Sequence, residues 1–168
     1  YTHVFFHNNT GIGIVGYSNQ QFNPFNLNQS WGRSREFQKS TLNVNGVYNL
    51  PKGFNLAGVY HFGSGDYTSI SLPYDSLGLG GSRRVRHDGT LVPRNSFKND
   101  VWSKLDLRVS KRFVVAGDVQ LTGIAEVFNI LNQSRFTRNT IEGRSNFGDP
   151  RRAAIDPLMG QVAIRLAF

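Results

Sequence analysis

The chain has 168 residues, a formal net charge of +8, 39% hydrophobic residues and no cysteine. That length accommodates one domain or part of one, and the apolar fraction lies below the usual globular range. Disulfides and thiolate metal sites are excluded, and no apolar run approaches the ~20 residues of a membrane-spanning helix. A β-barrel stays open, because its strands need apolar residues only at alternate positions. The lack of cysteine fits an exported protein, and the start at Tyr1, with no initiator Met or signal peptide, fits a mature product or a fragment. Basic charge raises nucleic acid or an anionic surface as a partner. The cations are scattered, however, with Arg83, Arg84 and Arg86 the tightest group and Arg151-Arg152 the next. No basic helix or aromatic-basic reader motif appears, so no nucleic-acid partner is expected.

Residues 1–17 mix aromatics, His and Gly. Val4, Phe5 and Phe6 suggest a strand, and Gly11 to Gly16 a second extended piece. The latter matches G-x-G-x-x-G in letters only, since a polar loop follows it rather than a helix. His3 and His7 share strand parity, but no third ligand accompanies them, and polar strand positions are the plainer reading. Residues 18–36 are rich in Asn, Gln, Ser, Pro and Gly and read as a long loop.

A hairpin follows. Leu42, Val44, Gly46, Tyr48 and Leu50 alternate with polar residues up to Pro51-Lys52-Gly53. The return strand then places Phe54, Leu56, Gly58, Tyr60 and Phe62 on one face. A turn centred on Lys52 sets Leu50 opposite Phe54, Gly46 opposite Gly58 and Leu42 opposite Phe62. Aromatics then cluster near both ends of the hairpin, as in the two interfacial girdles of a membrane barrel.

Residues 64–100 read as a very long structureless loop, which suits the external side of a barrel better than a compact soluble domain. The next strand spans about Val101 to Phe113. Val101, Ser103, Leu105, Leu107, Val109 and Phe113 lie on one face, with Lys111 among them near the end. Trp102, Lys104, Asp106, Arg108, Ser110 and Arg112 lie on the other. A turn over Val114 to Asp118 leads to Val119, Leu121, Gly123, Ala125 and Val127 on the apolar side. Gln120, Thr122 and Glu126 take the polar side, where Ile124 and Phe128 break the pattern. The charged row suits a wet lumen, because Arg or Lys at the midplane of a lipid face costs roughly 2–4 kcal/mol. Asp106 and Glu126 could form an acid/base pair. A solvated ion-pair ladder is the default, with Arg108 near both, and no enzymatic activity is expected.

Residues 129–157 form another long loop. The closing strand alternates strictly: Gly160, Val162, Ile164, Leu166 and Phe168 against Gln161, Ala163, Arg165 and Ala167. The terminal aromatic is similar to the signal read by the machinery that inserts outer-membrane barrels.

An ordered series of short motifs is identified along residues 20–168: Phe22-Asn-Pro-Phe-Asn, Trp31-Gly-Arg-Ser, Gly46-Val-Tyr-Asn-Leu-Pro51, Pro93-Arg-Asn-Ser96, Asp106-Leu-Arg-Val-Ser-Lys-Arg-Phe113, Glu126-Val-Phe-Asn-Ile-Leu-Asn132, Phe147-Gly148 and the terminal strand. In this order they resemble the C-terminal barrel segment of TonB-dependent outer-membrane receptors, of the Oar-like kind with a carboxypeptidase-regulatory-like domain. The resemblance implies an all-β fold, an antiparallel transmembrane β-barrel of which this chain carries about six C-terminal strands of 22. Residues 1–168 would all be barrel, with long external loops at about 18–36, 64–100 and 129–157. The plug and the TonB-contacting box of such receptors are absent from the sequence. Six strands do not close a membrane barrel, so the remainder of a longer barrel or other subunits would complete it.

The resemblance further implies an outer-membrane location in a Gram-negative-type bacterium and ligand binding and uptake by the whole receptor. Implied partners are outer-membrane lipid and lipopolysaccharide, the barrel-assembly machinery and TonB through a missing part. No cofactor or metal is implied. Gly160, Val162, Ile164, Leu166 and Phe168 would form the assembly signal and lipid face. Lys104, Asp106, Arg108, Arg112, Glu126 and Arg165 would face the lumen, and Arg83, Arg84 and Arg86 would be external ligand contacts. Two other readings stand beside it: a non-transporting structural or adhesive outer-membrane barrel, and a soluble β-sandwich binding module.

Overall fold

In the computed structural model, residues 1–3, 7–8, 27–33, 38–78, 83–117, 119–153 and 155–168 are described. The strands are β1 (Thr2–His3), β2 (His7–Asn8), β3 (Gly32–Arg33), β4 (Ser40–Leu50), β5 (Phe54–Gly63), β6 (Tyr67–Thr68), β7 (Phe97–Lys98), β8 (Trp102–Ala116), β9 (Val119–Phe128), β10 (Phe136–Arg138), β11 (Pro150–Ala153) and β12 (Met159–Ala167). The chain is all-β. Its main sheet has six strands in the order β1-β4-β5-β8-β9-β12. Every neighbouring pair is antiparallel, so the sheet is an up-and-down meander. The sheet is open: β1 contributes 2 residues at one edge, and β12 forms the other.

The period-2 alternation of the sequence makes these strands, and two tight turns fix their register. In the first turn Lys52 and Gly53 both adopt left-handed backbone angles, with φ of 62° and 77°. Glycine does so without penalty; Lys52 accepts the strain because the flanking ladder pins it. Leu50 then pairs with Phe54, Gly46 with Gly58 and Leu42 with Phe62, the register expected from a turn centred on Lys52. The second turn is shorter than expected. β8 continues through the β-branched Val114 and Val115 to Ala116, and Gly117 turns with φ of 52°. A register shift between Val114 and Ala116 absorbs the extra residue as a bulge.

Both tight turns lie at one end of the sheet and the long connections at the other. The connections 64–100 and 129–157 are not structureless, which corrects the expectation. β6 pairs with β7, β10 with β11, and the two connections join through a parallel bridge between Ser71 and Ile141. Ser71 N–H donates to the Thr140 carbonyl at 3.0 Å and Glu142 N–H to the Ser71 carbonyl at 2.9 Å. Together these segments form a folded cap. The buried hydrophobic residues among those described, Leu72 and Val92, both lie in the cap and not in the sheet.

Val4, Phe5 and Phe6, Gly11 to Gly16, and most of the loop expected at 18–36 lie outside the described residues. Of that loop, Leu27–Ser30 forms a 3-10 turn and Gly32–Arg33 pairs with His7–Asn8. His3 and His7 do not share a strand: His3 is in β1, against Ser40, and His7 in β2, against Arg33.

Candidate functional site

The antiparallel registers connect residues into rows that cross five strands. Gly46, Gly58, Leu107, Val127 and Gly160 form one row, and Tyr48, Leu56, Val109, Ala125 and Val162 the next. Leu50, Phe54, Lys111, Gly123 and Ile164 form another, nearer the turns. One face is therefore apolar from β4 to β12. It stays uncovered: Val109 is 40% exposed, Val162 85% and Ile164 77%, and Phe168, just beyond β12, is 98% exposed. Lys111, the one cation in these rows, caps two aromatic rings. Its Nζ lies 4.6 Å from the centre of Phe54 and 4.9 Å from that of Phe113. Its charge thus rests over two rings of the apolar face, and Phe113, Leu121 and Leu166 form a further apolar row nearer the turns.

The opposite face is polar. Arg108 pairs with Glu126 at 3.5 Å, and Gln161 donates a short hydrogen bond to the same carboxylate, joining three strands. Lys104 Nζ lies 3.1 Å from Asp106 Oδ2. Arg112 and Arg165 flank Thr122 in a row nearer the turns. His61 stacks on Trp102 at 4.4 Å between centroids and hydrogen-bonds to Asn43 across the ladder. Asp106 and Glu126 thus sit in separate ion pairs. Asp106 has a structural task as well, since its Oδ1 accepts the Asn129 backbone N–H at 2.8 Å. The six expected polar-face residues, Lys104, Asp106, Arg108, Arg112, Glu126 and Arg165, do share one face. Ile124, Val47 and Val59 lie among them.

The structure divides the three clustered arginines of the cap. Arg83 is exposed. Arg84 is buried, with Nε donating to the Val92 carbonyl at 2.9 Å and Nη2 to the Gln29 carbonyl at 3.3 Å. Burial, and secondarily the charge of Arg94, pulls its guanidinium below the ordinary arginine pKa. Arg86 forms a fork with Glu142, at 2.7 and 2.9 Å. That hydrogen bond raises the Arg86 pKa and holds the Glu142 carboxyl below the usual carboxylate value. The three residues form one arm of a small hairpin, bridged from Val85 to Leu91 and turned at His87-Asp88-Gly89. Asp88 Oδ1 accepts the Thr90 hydroxyl and N–H at 2.7 and 2.9 Å, which lowers its pKa.

Sequence reasoning missed a buried asparagine. Asn129 is 0% exposed and left-handed, with φ of 51°. Its Nδ2 donates to the carbonyls of Gln133 at 3.0 Å and Asp156 at 2.9 Å, and its Oδ1 accepts the Gln133 N–H at 3.3 Å. It thereby ties the exit of β9 to the approach of β12. The usable signal was the pair of asparagines in Asn129-Ile-Leu-Asn132, since Asn tolerates the left-handed region better than other non-glycine residues; Asn132 has φ of 47°. No protein-family model, curated protein or solved structure matches this chain.

Proposed function

We propose that the chain forms part of the wall of an outer-membrane β-barrel. Its apolar face meets lipid, its polar face lines a wet lumen and its folded cap stands on the external side. The observation that carries this reading is the five-strand apolar face, over which the described residues place no second layer. A soluble sheet buries such a face against helices or another sheet. Among the described residues the remaining ladders have strands of only 2–4 residues, too short to cover it. The same fact weighs against a soluble β-sandwich. The long strands have 9–15 residues, enough for a tilted strand to span the ~30 Å hydrocarbon layer. An open edge in lipid is not viable, so further strands from a longer polypeptide or other subunits would close the wall.

Ligand capture and TonB-driven uptake by the complete barrel is the fuller form of this reading, and it rests on the resemblance of the ordered motifs. A non-transporting structural or adhesive barrel gains from one observation: Arg84 and Arg86 are engaged inside the cap. A plug domain and TonB-contacting box on the same polypeptide would favour uptake.

Cysteine scanning tests the wall itself, and the chain has no native cysteine to interfere. Single cysteines at Leu56, Val109 and Val162 should resist a water-soluble maleimide in native membranes. Cysteines at the adjacent Ala57, Ser110 and Ala163 should react. Equal labelling of both sets, or release of the protein from membranes by high salt without detergent, would sink the reading.

A further inference from the structure

The charges of the polar face are balanced toward the cap and unbalanced toward the turns. Lys104 lies beside Asp106, and Arg108 beside Glu126. Nearer the turns, Arg112 and Arg165 stand on either side of Thr122, each its direct ladder partner. Both arginines are exposed, and among the described residues neither has an ion pair or a hydrogen bond. Glu126 is 4 residues from Thr122 along β9, about 13 Å of strand, and already binds Arg108 and Gln161. Asp118, the acidic residue between β8 and β9, lies outside the described residues. On the β5 side the row meets Gly53, where an added Cβ would lie 3.5 Å from the Arg112 carbonyl oxygen; glycine leaves that flank open.

The two arginines are two strand spacings apart, about 10 Å between Cα atoms. Their charges repel, so their long side chains meet over Thr122 only around an anion. Each guanidinium presents a planar fork of donors. A single fork already takes up both oxygens of a carboxylate. A tetrahedral oxyanion offers separate edges to two forks and leaves an oxygen for the Thr122 hydroxyl. We infer that Arg112, Thr122 and Arg165 bind a phosphate group, as inorganic phosphate or a phosphate monoester, at the turn end of the polar face. The inference rests on the reading of this face as a lumen wall. In a closed barrel that face is concave, so side chains two strands apart lean toward one another.

The test is isothermal titration calorimetry on the intact polypeptide in nanodiscs. It is run in low salt and at about pH 8, where a phosphate group is mostly dianionic. The probes are inorganic phosphate, glycerol 3-phosphate and acetate. Both phosphates should bind at one saturable site, and acetate more weakly. A tighter inorganic phosphate marks a free-ion site, and a tighter monoester an esterified ligand. Arg112→Gln and Arg165→Gln should each weaken phosphate at least about tenfold, the weight of a charge-assisted hydrogen bond. Both side chains are exposed and unpaired, so these variants should fold. Lys111→Gln removes the same charge from the opposite face, over the Phe54 and Phe113 rings, and should leave binding unchanged. Acetate binding as tightly as phosphate, affinity kept in either arginine variant, or an equal loss in Lys111→Gln would overturn the site. So would binding that appears only in Asp118→Asn, because the arginines would then already hold their anion. A salt-wash control separates the two levels. A protein that leaves membranes without detergent refutes the barrel wall, whereas an embedded protein that binds neither phosphate refutes this site alone.

Discussion

Asn129 shows how much one side chain can carry where the described residues bury few apolar side chains. Its amide satisfies two carbonyls and one N–H around the β9 exit, and its backbone is left-handed. Alanine would remove all three side-chain bonds, leaving buried partners unpaired at about 1–3 kcal/mol. It would keep a Cβ in the left-handed region, at ~1 kcal/mol relative to glycine, without the local hydrogen bonds that let asparagine tolerate it. Glycine would lose the same bonds without the backbone strain. Asn129→Ala should therefore be destabilised about 1 kcal/mol more than Asn129→Gly, as read by denaturant unfolding in lipid vesicles. Equal losses would mean that the φ of 51° imposes no cost. At this scale the sequence was only partly legible. The alternation of Lys104, Asp106 and Arg108 reveals their common face, because strand period is local. It cannot reveal that Asp106 accepts the Asn129 N–H or that Arg84 is buried against Val92, because those partners are set by how distant segments pack.

The elements divide in the same way. β4 and β5 were readable to the residue pair, since Pro51-Lys52-Gly53 allows one compact turn and the apolar sets coincide only in that register. The cap was not readable, because bonds between residues distant in sequence hold it together. Arg86 and Glu142 are 56 residues apart, and the Thr140 hydroxyl donates to the Ser69 carbonyl 71 residues away. No hydrophobic periodicity announces such a unit. The Arg86–Glu142 fork gives it a pH dependence of known sign. A carboxyl whose folded pKa is depressed adds stability above its unfolded value, here 4.5, and loses it as pH falls through the lower folded value. Arg86 stays charged throughout. Hydrogen exchange at the Glu142 amide, bonded to Ser71, reads the clasp directly. After correction for intrinsic rates, wild-type protection should fall below about pH 4.5, and Glu142→Gln should lack that step. An Asp88→Asn control removes the nearby carboxyl that Thr90 holds low. A step unchanged in Glu142→Gln would show that the Arg86–Glu142 fork does not set it.

For the whole molecule the decisive fact is the direction of the edges. β4 and β12 both run from the cap end to the turn end, because three long strands of alternating direction separate them. Copies joined edge to edge through β4 and β12 would therefore pair in parallel, against the antiparallel rule of membrane barrels. The antiparallel neighbour that β4 requires begins at β1, which covers only Thr41 and Ser40. β12 likewise requires a neighbour running from the turn end to the cap end. Among the described residues neither edge has it, and in lipid each unpaired backbone group costs several kcal/mol. If the wall is closed in the membrane, every amide from Gly160 to Leu166 is bonded, alternately to β9 and to the absent neighbour. Site-resolved hydrogen exchange on the intact, membrane-embedded polypeptide should then show unbroken protection along that stretch. An alternating pattern, with the outward amides exchanging at unprotected rates, would mean that β12 is a true edge and that this sheet does not belong to a closed barrel.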